Sequence, residues 1–405
     1  MRRRFIETIV TVLTLVLVVS GVVTGMALAQ NNDTTDQNEL AKARQAGKSF
    51  IDKFSAVNPE VSEWERVTLT SPQVFSDLNG KVNAYLFALE HQNEVVGHVI
   101  VRRSSYGYIV SKAGKAAPSS IPTSYEAKSI LDEQLGTKLD ERNVEKPADL
   151  VYLGVDRLYA IYEIEGKRAV IDLTTRQCVD ESALKKYSPL PSRDNVRQAL
   201  DNISPLRSLP TLSYLPMLYW CGSGEDMCWC GPSSGVSIMR YYREYCGYSA
   251  FPSSDTTMYL ELMDDMDTYT SGSWEGVTWP WEYDDGIRIF GDRYGYDFNT
   301  RVYYPSEIGY PSGSGIGLMI TFYMNVCQDL YYDHIPYALC HVGSDPVNPG
   351  ETERHWRAIK GYYHPSGTGD DMYFIFTDSR EHDDWQVVWW FDFTGSKWAT
   401  PVEGD

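Results

Sequence analysis

The sequence predicts an α+β protein. A small mixed α+β region comes first, and a second unit follows in which an opening helix carrying a cysteine packs on an antiparallel sheet. Three observations predict this. A stretch of helical period, apolar at Leu40, Ala43, Ala46, Phe50, Ile51 and Phe54, is followed by short alternating runs of strand character. The composition shifts sharply near residue 200. The second half opens on a turn-and-helix signal, Cys230-Gly231-Pro232, and continues into two alternating runs, Arg354–Tyr363 and Met372–Thr377.

The first 29 residues read as a secretory signal peptide. Arg2, Arg3 and Arg4 form a basic start, an apolar run extends from about Ile9 to Val23, and Ala27-Leu28-Ala29 is a small-x-small cleavage signal. An uncleaved anchor is the competing reading, because the run nearly reaches the ~20 residues that span a bilayer. Only in that case is a membrane a partner. Residues 30–38 form a polar linker. The expected location is outside the cell, free or tethered, where disulfides persist.

Residues 39–187 read as an N-terminal α+β unit. The helix over Leu40–Phe54 leads into a hairpin, Val82–Leu89 with Val95–Val101, turning across His91–Glu94. Tyr106–Val110 continues the meander, and Ser124–Gln134 is a helix. A second antiparallel set follows at Asp149–Gly154, Ala160–Glu165 and Ala169–Leu173, with Gly166 in a turn. The unit carries no catalytic constellation of its own.

Residues 188–212, rich in Pro and Ser, read as a connector to the unit over 213–405. The length of 405 residues suits two domains with real cores. The net charge of −19 excludes a nucleic-acid partner, since phosphate binding needs clustered Lys and Arg. That acidity is local: from Ser213 onward there are 10 Lys+Arg against 29 Asp+Glu, and residues 30–212 are nearly neutral. Ten of the 11 Trp also lie after residue 213.

The chemistry is expected in this second unit. Val236, Met239, Tyr242 and Tyr245 continue a helix from Pro232 into the interior, which puts Cys230 at a helix N-terminus. Amide N–H groups and the helix dipole favour a thiolate there, and the thiolate is the nucleophile. A structural disulfide is the competing role for this cysteine. His355 opens the alternating run Arg354–Tyr363. The next strand, Met372–Thr377, ends at Asp378. An antiparallel hairpin through Pro365–Asp370 returns that end to the start of the first strand, so that Asp378 orients His355. A surface histidine at a strand edge is the alternative.

These motifs resemble papain-fold cysteine peptidases, in particular the secreted relatives of the bacteriocin-processing (double-glycine) peptidases. The likeness covers residues 213–395. It implies a papain-like catalytic domain acting on a peptide or protein substrate, with Cys230 as nucleophile, His355 as base and Asp378 as orienting acid, and without a cofactor or metal. The first half resembles the pro-domains of streptopain-type peptidases through its helix and its Tyr85-Leu86-Phe87 to Ile100-Val101 hairpin, which implies a precursor. One departure concerns the oxyanion hole. The family's Gln before the Cys is missing, because Ser213 to Cys230 contains neither Gln nor Asn. Ser223, Tyr219 or the Trp220 N–H takes its place, or the enzyme is impaired. A transglutaminase-like acyltransferase and a degenerate papain-fold binding module are the alternatives.

The seven cysteines fit one free thiol and up to three disulfides. With Cys230 free, one arrangement pairs Cys327 with Cys340, Cys221 with Cys228, and Cys178 with Cys246. Zinc is not expected, since Cys228-Trp229-Cys230 lacks C-x₂-C spacing. Asp264-Asp265-Met266-Asp267 through Glu275 lacks the glycine of a calcium loop and reads as a solvated acidic face. Trp279-Pro280-Trp281 and Trp389-Trp390 line a cleft or fill the core. Asn32-Asp33-Thr34 and Asn202-Ile203-Ser204 match the glycosylation acceptor pattern.

Overall fold

A computed structural model describes residues 37–104, 107–117, 121–135, 144, 146–154, 157–164, 166–174, 176–184, 198, 209–218, 220, 229–268, 276–309, 315–342, 354–365, 371–379, 383–393 and 396–405. The segment expected to be a signal peptide, Asn32 and Asn202, Cys221, Cys228 and most of residues 188–212 lie outside them. Among the described residues, no helix is long and apolar enough to cross a membrane.

The first half begins with helix α1 (37–57), which buries the predicted stripe of Ala43, Phe50, Ile51 and Phe54. Asn58 ends it, and its side chain accepts a bond from the Glu60 amide to start the 3₁₀ turn Pro59–Arg66. Strands β1 (Thr68–Leu69), β2 (Gln73–Ser76), β3 (Val82–His91), β4 (Glu94–Ser104) and β5 (Gly107–Gly114) follow. The predicted hairpin is β3–β4, with Phe87 opposite Val99. Its two turn residues, Gln92 and Asn93, both have positive φ (52° and 67°), as a tight two-residue hairpin requires. Helix α2 (Ser124–Leu135) precedes β6 (Asp149–Tyr152), β7 (Leu158–Ile164), β8 (Lys167–Asp172) and β9 (Cys178–Val179).

The second half contains β10 (Leu212–Tyr214), helices α3 (Cys230–Tyr245), α4 (Asp255–Asp265) and α5 (Pro280–Arg293), then β11 (Phe298–Thr300) and α6 (Gly315–Gln328). It closes on β12 (Tyr337–Val342), β13 (Arg354–Tyr363), β14 (Tyr373–Asp378), β15 (Asp383–Trp389) and β16 (Ser396–Gly404). The strands run in the order β11-β16-β12-β13-β14-β15-β5-β4-β3-β2-β6-β7-β8-β9, with β1 on β3 and β10 on β13. The sheet is mixed: β2 and β6 run parallel, and the neighbours along β12 to β15 are antiparallel.

The sheet crosses from one half of the chain to the other. Val387 and Val388 of β15 lie opposite Ala113 and Lys112 of β5. One apolar core follows the same course. It joins Phe50, Phe54, Trp64 and Val99 to Met239, Ile287, Tyr363 and Trp385. A smaller core around Phe75, Ile100, Tyr152 and Ile171 belongs to the first half alone. The protein is thus α+β with a large mixed sheet, as the sequence pattern predicts at that level.

The cysteine pairing requires correction. Cys178, Cys246 and Cys327 are thiols, so neither the Cys327–Cys340 bridge nor the Cys178–Cys246 bridge forms. Cys178 sits in the smaller core on β9 at one end of the strand order, whereas Cys246 is exposed at the C-cap of α3. Cys327 is sealed within α6, and burial pushes its thiol well above the ordinary range.

Candidate active site

Helix α3 is buried along most of its length and packs on β13 and β14. Its first turn is built from small residues, and that composition sets how closely its neighbours approach. A Cβ at Gly231 would lie 2.3 Å from Thr278 Oγ1, so only glycine lets the helix start rest on Thr278. Ser234 Oγ donates back to the Gly231 carbonyl at 2.8 Å. Cys230, half-buried, is the first helical residue. It sits among the open N–H groups that favour a thiolate. Trp229 precedes it, and the Trp229 N–H donates to Tyr259 Oη at 3.1 Å.

Two tyrosines lie within electrostatic reach of Cys230. Burial pushes the phenols of Tyr259 and Tyr283 up, and a Cys230 thiolate pushes them further. Both therefore keep their hydroxyl protons at neutral pH. Tyr283 stacks on Trp356 with ring centroids 4.2 Å apart, and Trp356 Nε1 donates to the Thr278 carbonyl at 3.0 Å. Thr278 thus touches the residue after Cys230 and the residue after His355, which brings the start of α3 against the start of β13.

His355 and Asp378 meet as the hairpin register predicts. Ala358 lies opposite Thr377, so Asp378 falls beside the opening of β13. His355 Nε2 is 2.8 Å from Asp378 Oδ1, with both side chains almost wholly buried. The other carboxylate oxygen, Oδ2, accepts from Arg357 Nε at 2.6 Å, and Arg357 Nε also reaches Gln386 Oε1 at 3.1 Å. Burial pulls the Asp378 carboxyl up. The Arg357 guanidinium, His355 and Lys112 outweigh it and hold the carboxyl well below the usual range. Asp378 is therefore a buried acceptor, ionised at neutral pH. It fixes the ring orientation of His355 and puts a proton on Nε2, which makes Nδ1 the basic nitrogen.

The sequence reading missed Arg357 and Gln386. The signals were present: Arg357 is two residues from His355 and so shares its face of the strand, and Gln386 interrupts an apolar run. It also missed Thr278, Tyr259 and Tyr283, which only packing reveals. Of the three oxyanion options, Ser223 and Tyr219 lie outside the described residues. The Trp220 ring lies on Tyr259 at 4.9 Å.

The other marked residues divide. Trp389 and Trp390 are fully buried, and Trp390 Nε1 donates to the Met319 carbonyl at 2.9 Å, so this pair fills the core. Trp279 and Trp281 stack at 5.0 Å beside Thr278, and Trp281 is 49% exposed. The acidic run is not uniformly solvated. Asp264 and Asp267 are exposed, but the Asp265 side chain is buried against Arg293. Among the described residues, no group of three or more His, Cys, Asp or Glu side chains is arranged to hold a metal ion. No family model matches the chain, and no curated protein matches it.

Proposed function

We propose that the protein is a secreted cysteine peptidase of papain-like fold, made as a precursor, that hydrolyses peptide bonds with Cys230, His355 and Asp378. The observation that carries this reading is the buried His355–Asp378 pair at 2.8 Å, at the opening of the strand on which the Cys230 helix packs. Each residue has a chemical role that follows from its surroundings. His355 Nδ1 takes the thiol proton, and the helix N-terminus stabilises the resulting thiolate. The thiolate attacks the substrate carbonyl, and the Cys230 backbone N–H holds the developing oxyanion. The imidazolium then protonates the leaving amine, which leaves a thioester. Water, deprotonated by His355, hydrolyses that thioester and regenerates the thiol. Asp378 stays ionised throughout because Arg357 compensates its charge, and it stabilises the imidazolium at each proton transfer.

The test combines labelling and mutation. Iodoacetamide near neutral pH should modify Cys230 ahead of the buried Cys178 and Cys327, and faster than the exposed Cys246, whose thiol is held above the ordinary range. Cys230→Ala should lose hydrolysis of a peptide-amide panel by at least about 10³-fold. Unselective labelling, or full activity in Cys230→Ala, would refute the proposal.

A further inference from the structure

We infer that the first half of the chain is a permanent part of the working protein, retained on the second half after any cleavage of the segment that connects them. A removable pro-segment covers a finished site and leaves through a separable interface. The joint here has a different construction. Strands β5 and β15 are hydrogen-bonded neighbours inside one sheet, so release of the first half would open the sheet at its middle and expose two strand edges.

The joint is also sealed by buried polar groups. Arg102 Nε, on β4, donates to Asp392 Oδ1 at 2.9 Å, with both side chains buried, and Ser111 Oγ donates to Asp392 Oδ2. Separation would strand Asp392 without either partner, and a buried ion pair broken on one side is strongly destabilising. On the other flank Phe54 meets the Tyr363 ring edge-on at 4.9 Å, and Trp385 Nε1 donates to Glu60 at 2.8 Å.

The first half further completes the site. Lys112, buried on β5, adds to the positive charge that keeps Asp378 ionised. Gly114, two residues further along β5, lies opposite Gln386, which holds Arg357 on Asp378. A second half alone would lack one of these charges and the strand that backs Gln386. The inference deepens the proposed peptidase reading, but its first readout needs no turnover.

A protease recognition sequence inserted between residues 192 and 204 of the full chain tests it. After cleavage, confirmed on a denaturing gel, the two pieces should co-elute at the mass of the intact chain in 0.5 M salt. The cut protein should keep at least half the intact rate of Cys230 alkylation. Pieces that separate without denaturant would overturn the inference, as would loss of Cys230 alkylation in the cut protein. If the pieces stay together and neither form hydrolyses peptides, the peptidase reading falls and retention stands.

Discussion

His355 and Asp378, 23 residues apart in the chain, meet at 2.8 Å across the β13–β14 hairpin. The imidazole gives Nε2 to one carboxylate oxygen, and Arg357 occupies the other. Removal of the acceptor tests this pair. Asp378→Ala should lower kcat/KM for peptide hydrolysis by about 10⁴-fold, because the imidazole loses the group that fixes its tautomer and stabilises the imidazolium. Steady-state kinetics beside a circular dichroism spectrum would check it. A near-wild-type rate would remove Asp378 from the mechanism.

Arg357→Gln leaves a buried carboxylate without its guanidinium and should cost about 3–5 kcal/mol, read as a fall of roughly 5 °C in thermal midpoint. The sign of its pH dependence is set by Asp378, whose folded carboxyl lies below its unfolded value near 4. Such a group stabilises the fold above that pH, and the contribution disappears as pH falls through the folded value. The deficit of Arg357→Gln should therefore be greatest at neutral pH and shrink below about pH 4. A pH-independent deficit would mean that the arginine acts by packing alone.

The close approach at Thr278 predicts a positional effect. Gly231→Ala places a methyl 2.3 Å from Thr278 Oγ1 and must push the start of α3 aside. Overpacking of this kind costs about 1–3 kcal/mol. A displacement of Cys230 near 1 Å should reduce turnover by roughly 10²-fold. Trimming Thr278 to Ala in the same chain should restore part of the rate. Equal activity of Gly231→Ala and the parent would show that Cys230 tolerates the shift.

Lys397 gives a prediction about stability. Burial, reinforced by the charge of Arg157, lowers its amine to about 7. Between that value and the ordinary lysine range the unfolded chain binds a proton that the folded chain does not, so stability rises with pH. Relative to Lys397→Met, the parent should gain about 1.4 kcal/mol per pH unit from pH 7 to pH 9. Denaturant titrations of both proteins at three pH values would measure it. A constant difference between them would contradict the buried, neutral amine.

Several elements were legible in the sequence because their causes are local. Apolar spacing marked α1, alternation and a short polar turn marked β3–β4, and Cys230-Gly231-Pro232 marked the start of α3. His355 and Asp378 were legible as a pair because a hairpin's register follows from its turn. What lay beyond reach is non-local. Nothing in the residues around Ala113 announces a partner at Val387, since any half-buried strand offers the same edge. Arg357 could be placed on the face of His355, but its bond to Gln386 depends on where β15 lands. The expected Cys327–Cys340 and Cys178–Cys246 bridges failed for the same reason: spacing suggests partners, and only the packed interior decides which sulfurs meet. The sequence by itself determined which residues are candidates for the chemistry and the short-range geometry that pairs two of them. Tertiary structure decided that Thr278 brings the starts of α3 and β13 together, that Arg357 compensates Asp378, and that both halves share one sheet and one core. Those contacts join faces far apart in the chain, and burial of each face depends on the shape of all the others.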